Sequence, residues 1–250
     1  LFGKLYSSIP LVDHAKKLFP ICRSLTGDGT RSTLKYFEKY HPEFTRLTFK
    51  SGTKVFDWQV PKEWNIKDAY LEHIESGKRF AEFKKLNLHV VGYSVPIDEI
   101  MSFEEIESKI FTQEEQPDCV PYVTSYYNKS WGFCMSEIEK ESMPKGKYRV
   151  FIDSTLEDGK LEMSHAILKG NIEKEIFFSS YICHPSMANN ELSGPVVLNA
   201  ILDYIKQNYP KNKFTYRFVL LPETIGSIAY LSQFSEKMKE NIISGFNLSC

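Results

Sequence analysis

The stretch that most constrains the fold is 173–248, where three strand-like runs alternate with two amphipathic helix-like runs. Residues 176–182 (Ile-Phe-Phe-Ser-Ser-Tyr-Ile) are β-branched and aromatic with little alternation, the texture of a parallel strand buried on both faces. His184-Pro185 ends the run, because proline brings no N–H to a sheet ladder and disfavours helix in the residue before it. Ser193-Gly194-Pro195 predicts a helix start with a cap donor and an early proline. Val196, Val197, Ala200, Ile201, Tyr204 and Ile205 then make one apolar stripe that ends near Asn208. A second buried strand over 213–221 is broken by Pro222-Glu223-Thr224. A helix over 227–240 and a strand over 242–248 follow. Such βαβαβ crossovers are right-handed and join parallel strands, so the first two strands end on one edge of the sheet. Ligands of open α/β sheets bind at that edge, and His184 and Glu223 are expected to converge there.

Upstream, Leu11, Val12, Ala15, Leu18 and Phe19 predict a helix, and 30–40 a second one ending before Pro42. Between them lies a turn-rich loop, Cys22-Arg23-Ser24-Leu25-Thr26-Gly27-Asp28-Gly29. Arg23 beside Gly-Asp-Gly suits either a substrate carboxylate or a hydrogen-bonded tie that fixes the loop. From about Phe49 the texture turns to short strands and turns. Phe56, Trp58 and Val60 alternate, 69–75 and 79–83 flank Ser76-Gly77 as a hairpin, and 88–95 reads as a strand. Ser102 with Glu105 is a capping-box signature. This block predicts an inserted β-rich subdomain at 50–116, between an N-terminal part at 1–49 and an α/β part at 117–250. Trp58, Trp64, Tyr70 and Tyr93 could line a surface of the insert or fill its core. Strands over 131–136, 148–154 and 161–168 are expected at the antiparallel edge of the main sheet. The fold class is therefore α/β, a mixed and largely parallel sheet with helices on both faces, plus a small β-rich insert.

A net charge of −1 over 250 residues leaves no basic footprint for nucleic acid. No apolar run approaches the ~20 residues of a membrane span, and the N-terminus lacks a signal-peptide plan, so a cytoplasmic protein is expected. A homo-oligomer is compatible with the sequence. The five cysteines are scattered without a CxxC pair, which points to reduced thiols.

The loop from His184 to Glu191 holds an imidazole, two amides and a carboxylate, with Glu223 facing it from the next strand. A hydrolytic zinc site needs such a set: a few nitrogen or oxygen ligands, an open position, and a carboxylate to take a proton. A histidine bonded to backbone and asparagines serving a turn would use the same residues. There is no G-x-S-x-G, H-E-x-x-H, G-x-x-x-x-G-K or G-x-G-x-x-G. A Cys183–His184 dyad is disfavoured because strand neighbours point to opposite faces.

The run His-Pro-Ser-Met-Ala-Asn-Asn-Glu-Leu-Ser-Gly-Pro (184–195), followed after one helix by Leu-Pro-Glu-Thr-Ile-Gly-Ser-Ile-Ala-Tyr-Leu (221–231), resembles the co-catalytic zinc exopeptidase clan. Phe-Pro-Ile-Cys-Arg-Ser-Leu-Thr-Gly-Asp-Gly (19–29), Ser-Gly-Thr-Lys-Val-Phe-Asp-Trp (51–58) and Pro-Tyr-Val-Thr-Ser-Tyr-Tyr (121–127) are similar to an aminopeptidase-like branch of that clan, often associated with surface-polysaccharide gene clusters. The resemblance implies a zinc aminopeptidase-type hydrolase acting on a small peptide or amide. His184 falls on a zinc ligand and Glu223 on the general base. Asn190 stands where a bridging aspartate is expected, with Glu191 beside it; Thr224 replaces a second glutamate ligand, and Ser249 an aspartate. One zinc, held by His184 with Asn190 or Glu191 and a further group, is what these departures leave. A non-catalytic binding protein on the same scaffold is the rival expectation. The clan also carries a substantial C-terminal part with another ligand histidine, so the chain is expected to be a truncation or first half of a longer protein.

Overall fold

A computed structural model describes residues 10–249. The chain divides into two compact units. One runs to Lys62 and resumes at Asp158, and the other is Glu63–Glu157.

The first unit is built on five strands: β1 (Thr45–Lys50), β2 (Lys160–Leu168), β3 (Ile172–Tyr181), β4 (Phe214–Leu221) and β5 (Ile242–Asn247). Their order is β1-β2-β4-β3-β5. β3 pairs in parallel with β4 on one side and β5 on the other, whereas β1–β2 and β2–β4 are antiparallel. The sheet is thus evenly mixed, which corrects the expectation of a largely parallel one. β1 went unread because its six residues lie where the texture changes, yet its register opposes Lys50 to Lys160. The chain therefore leaves and re-enters this sheet at one point, as an expanded hairpin connection would.

Four helices serve this sheet: α1 (Leu11–Leu18), α2 (Asp28–Tyr40), α3 (Ser193–Asn208) and α4 (Ile225–Asn241). Strand alternation sends Ala166, Phe218 and Leu220 into one apolar core with Leu18, Leu34, Phe37, Val196, Leu198 and Leu202 of α1, α2 and α3. The opposite face meets α4 through Arg217, buried at 1% exposure and bonded to Glu175 and to the Tyr230 hydroxyl. Helices on both faces follow from the chain path. From β3 it crosses by α3 to β4 on one side, and from β4 it crosses back by α4 to β5 on the other. The carboxyl end of β3 is consequently a switch point, where crossovers diverge and a crevice opens.

Ser193 was expected to cap α3, but it lies inside the helix and donates to the Asn189 carbonyl at 2.5 Å. Gly194 is required here by proximity. A Cβ on it would stand 2.3 Å from both the Leu248 carbonyl oxygen and Ser180 Oγ, so only glycine lets the helix start sit against the ends of β3 and β5.

The second unit carries a four-stranded antiparallel sheet in the order Arg79–Phe80, Glu63–His73, Lys147–Glu157, Ile97–Ser102. The insert boundaries of 50–116, and the return of the α/β part at 117, are corrected by this pairing. The strand Lys147–Glu157, expected in the main sheet, lies against Glu63–His73 over ten residue pairs, from Glu63↔Glu157 to His73↔Tyr148. In the run 131–136 the strand is confined to Phe133–Cys134, paired with Ile110–Phe111 in this same unit. Phe56, Trp58 and Val60 belong to the first unit, where Lys54–Val55 pairs with Trp58–Gln59 as a small separate ribbon. Trp64, Tyr70 and Tyr93 are buried in the second unit, and Trp64 stacks on Tyr93 with ring centroids 5.5 Å apart. The Ser102–Glu105 capping box forms with both of its reciprocal bonds. Residues 88–95, expected as a strand, hold a short helical turn at Asn87–His89 and isolated bridges at Val90 and Gly92.

Candidate active site

Parallel pairing of β3 with β4 opposes Tyr181 to Leu221, and the Ile182 amide still donates to the Leu221 carbonyl at 3.0 Å. Two residues further on, the chains carry Cys183-His184 and Glu223 side by side. The Glu223 amide donates to Cys183 Sγ at 3.2 Å, and His184 Nε2 lies 3.4 Å from Glu223 Oε2. The convergence expected from strand order is therefore present. His184 is buried, and the Glu223 side chain is 53% exposed, so the pair is open from the carboxylate side.

The other face of the imidazole is closed. His184 Nδ1 lies 3.0 Å from Glu191 Oε2, and Glu191 Oε1 accepts from Arg23 Nε at 3.0 Å. Both of these charged side chains are fully covered. Arg23 also donates through Nη1 to the Leu18 carbonyl at 2.7 Å. A substrate carboxylate cannot reach it, which corrects the substrate-binding expectation: burial and two internal acceptors make Arg23 a tie between the 22–29 loop and the site. Burial depresses its pKa, partly countered by Glu191. The loop is seated under α2 at Gly29, where any Cβ would collide with the Cys22 carbonyl oxygen at 1.8 Å.

Neither side chain of the expected Asn190/Glu191 ligand pair faces Nε2 in the way supposed. Glu191 spends both oxygens on Arg23 and Nδ1. Asn190 is exposed, and its Oδ1 accepts from the Tyr181 hydroxyl at 2.6 Å. Cys183 was discounted on strand alternation, yet its sulfur lies 3.6 Å from His184 Nδ1, because β3 has ended at Tyr181 and alternation no longer governs. As a nucleophile it is still poor. Burial first, then Glu191, pushes its thiol well above the usual cysteine range.

Two non-glycine residues flank the pair in left-handed backbone: Glu191 at φ 85°, ψ −67° and Thr224 at φ 54°, ψ −75°. Both lie near the γ-turn geometry that is rare and strained, and a β-branched residue resists it most. Backbone strain at both loop ends beside one His–Glu pair is the pattern of a functional site. No composition or periodicity signal could have shown it.

Two atoms each about 2.0–2.2 Å from one tetrahedral zinc ion stand about 3.4 Å apart, the separation of His184 Nε2 and Glu223 Oε2. Among the described residues, Cys183, His184 and Glu223 are the one group of three such side chains whose ligand atoms lie within 4.8 Å of one another. The residues fit a single ion and supply no second carboxylate for a two-metal centre. No helix of the described residues is long and apolar enough to cross a membrane.

A family model described as a domain of unknown function, DUF4910, matches residues 12–250. A Clostridium acetobutylicum protein described as a polysaccharide biosynthesis protein with an aminopeptidase-like domain is 43% identical over 249 residues, 99% of this chain and 55% of its own length. The chain thus spans about half of that relative. A crystal structure from Clostridium acetobutylicum, described as a peptidase, superposes with a TM-score of 0.91 at 43% identity, over 95% of this chain and 55% of that one. A zinc aminopeptidase from Bacillus subtilis shares the fold with a TM-score of 0.59 at 10% identity, over 96% of this chain and 70% of that one. The scaffold is a mixed α/β peptidase-like fold.

Proposed function

The chain belongs to the DUF4910 family, and from its site we propose a metal-dependent hydrolase of aminopeptidase type that cleaves a peptide or amide bond in a small substrate. The observation that carries this reading is the 3.4 Å approach of a buried imidazole nitrogen to a half-exposed carboxylate at a switch point of the sheet. His184 Nε2 would hold zinc, with Cys183, once deprotonated, as a further donor within reach, and Glu223 would face the attacking water rather than the ion. When bound, zinc polarises a carbonyl and makes water a nucleophile near neutral pH. Glu223 accepts the proton of the attacking water and returns it to the leaving amine, which its exposure permits. His184 is held from behind by Glu191, so its Nε2 keeps one direction.

A second reading, a binding protein on a peptidase scaffold, is favoured by Asn190. Its amide is bonded to Tyr181, at the place where the resemblance called for a ligand carboxylate. Incubating the protein with zinc and a series of aminoacyl anilides separates the two. Release of aniline that a chelator stops supports the hydrolase. Zinc binding without turnover of any anilide or dipeptide leaves the binding reading.

A further inference from the structure

We infer that Arg23 and Glu191 form a buried positioning pair that fixes His184 as its Nδ1–H tautomer and turns the Nε2 lone pair toward Glu223. The inference rests on the proposed metal site only for what Nε2 binds. A carboxylate paired with a guanidinium is an acceptor alone, so in a neutral ring the nitrogen 3.0 Å from Glu191 Oε2 carries the one hydrogen and the other ring nitrogen does not. Glu223 lies farther off, at 3.4 Å, and is half exposed, so it competes weakly for the same proton.

Arg23 holds the Glu191 carboxylate: its Nε donates to Glu191 Oε1 at 3.0 Å with both side chains fully covered, so Glu191 stands as the acceptor of an internal ion pair. The guanidinium is fixed in turn, Nε on Glu191 and Nη1 on the Leu18 carbonyl at 2.7 Å, a fork that an ammonium cannot reproduce. The backbone of Glu191 takes a strained conformation, φ 85°, and its side chain reaches both partners from there. The chain from the Leu18 carbonyl through Arg23 and Glu191 to Nδ1 is thus continuous and buried. Carboxylates behind metal-binding imidazoles act in this way, fixing tautomer and ring direction. Here the carboxylate is in turn held by a residue 168 positions away in sequence.

The test is long-range 15N–1H correlation NMR on protein labelled at histidine, at a pH well above the ordinary imidazole range, with zinc titration alongside. In the wild type the His184 signal is expected in the Nδ1–H pattern. An Nε2–H pattern overturns the inference whatever any variant does. Glu191→Gln and Arg23→Lys are expected to mix the two tautomers and weaken zinc about 10- to 100-fold, the usual effect of losing such a partner. Unchanged tautomer and unchanged zinc affinity in both variants also overturn it, while leaving the metal reading intact. If the wild type shows Nδ1–H but takes up no zinc, the metal reading fails and the positioning pair stands.

Discussion

Glu223→Gln is expected to reduce turnover of a hydrolysed anilide by at least about 100-fold while zinc content stays at the wild-type level. Glutamine keeps the size of the side chain and an oxygen that can still face His184 Nε2, but it cannot take a proton at the pH of the assay. The argument depends on where Glu223 stands. Its backbone is fixed by the bond from its amide to Cys183 Sγ, whereas its carboxylate is half exposed and within 3.4 Å of Nε2. Single-turnover rates and metal analysis of the same sample decide it. If the variant loses zinc and regains full turnover when zinc is restored, Glu223 is a ligand and the base lies elsewhere.

Arg217→Met is expected to destabilise the first unit by about 3–5 kcal/mol, because it strands the Glu175 carboxylate at 2% exposure under α4. Arg217 meets Glu175 through two bonds of 2.6 and 2.8 Å and donates a third, of 2.9 Å, to the Tyr230 hydroxyl. That hydroxyl lies 2.9 Å from His165 Nδ1, so one guanidinium anchors α4 to β2, β3 and β4 together. Adding Glu175→Leu to Arg217→Met should recover most of the loss, since replacing both partners of a buried pair with apolar groups is often close to neutral. Denaturant midpoints of the two variants measure this. A single variant within about 1 kcal/mol of wild type would show that Glu175 finds water or another donor when Arg217 is gone.

Local pattern made the site half of the fold readable. Residues 176–182 ran apolar into His-Pro, 213–221 ran apolar into Pro-Glu, and the stripe from Val196 to Ile205 joined them, so right-handed crossover alone placed His184 near Glu223. The second unit was misjudged at its far end. Lys147–Glu157 and Lys160–Leu168 are separated by one turn, yet the first completes the sheet of Glu63–His73 and the second the main sheet. Strand texture is the same in both, and only a pairing between residues 63 and 157 tells them apart. That is a long-range contact that propensity and periodicity do not encode. The supporting residues of the site were hidden for a related reason. Glu191 next to Asn190 suits a substitute ligand, and Arg23 suits a substrate carboxylate as well as a loop tie. Their roles depend on a backbone turned to φ 85° and on burial that joins residue 23 to residue 191.

The proposed site depends above all on His184 Nε2 as the atom that holds the ion. The direct measurement is calorimetric titration of zinc into the wild type and into His184→Ala, with far-ultraviolet circular dichroism confirming that both are folded. The geometry predicts one zinc per wild-type chain and loss of that binding in His184→Ala. A wild type that takes no zinc, or a folded His184→Ala that binds it with the same stoichiometry and affinity, would contradict the assignment.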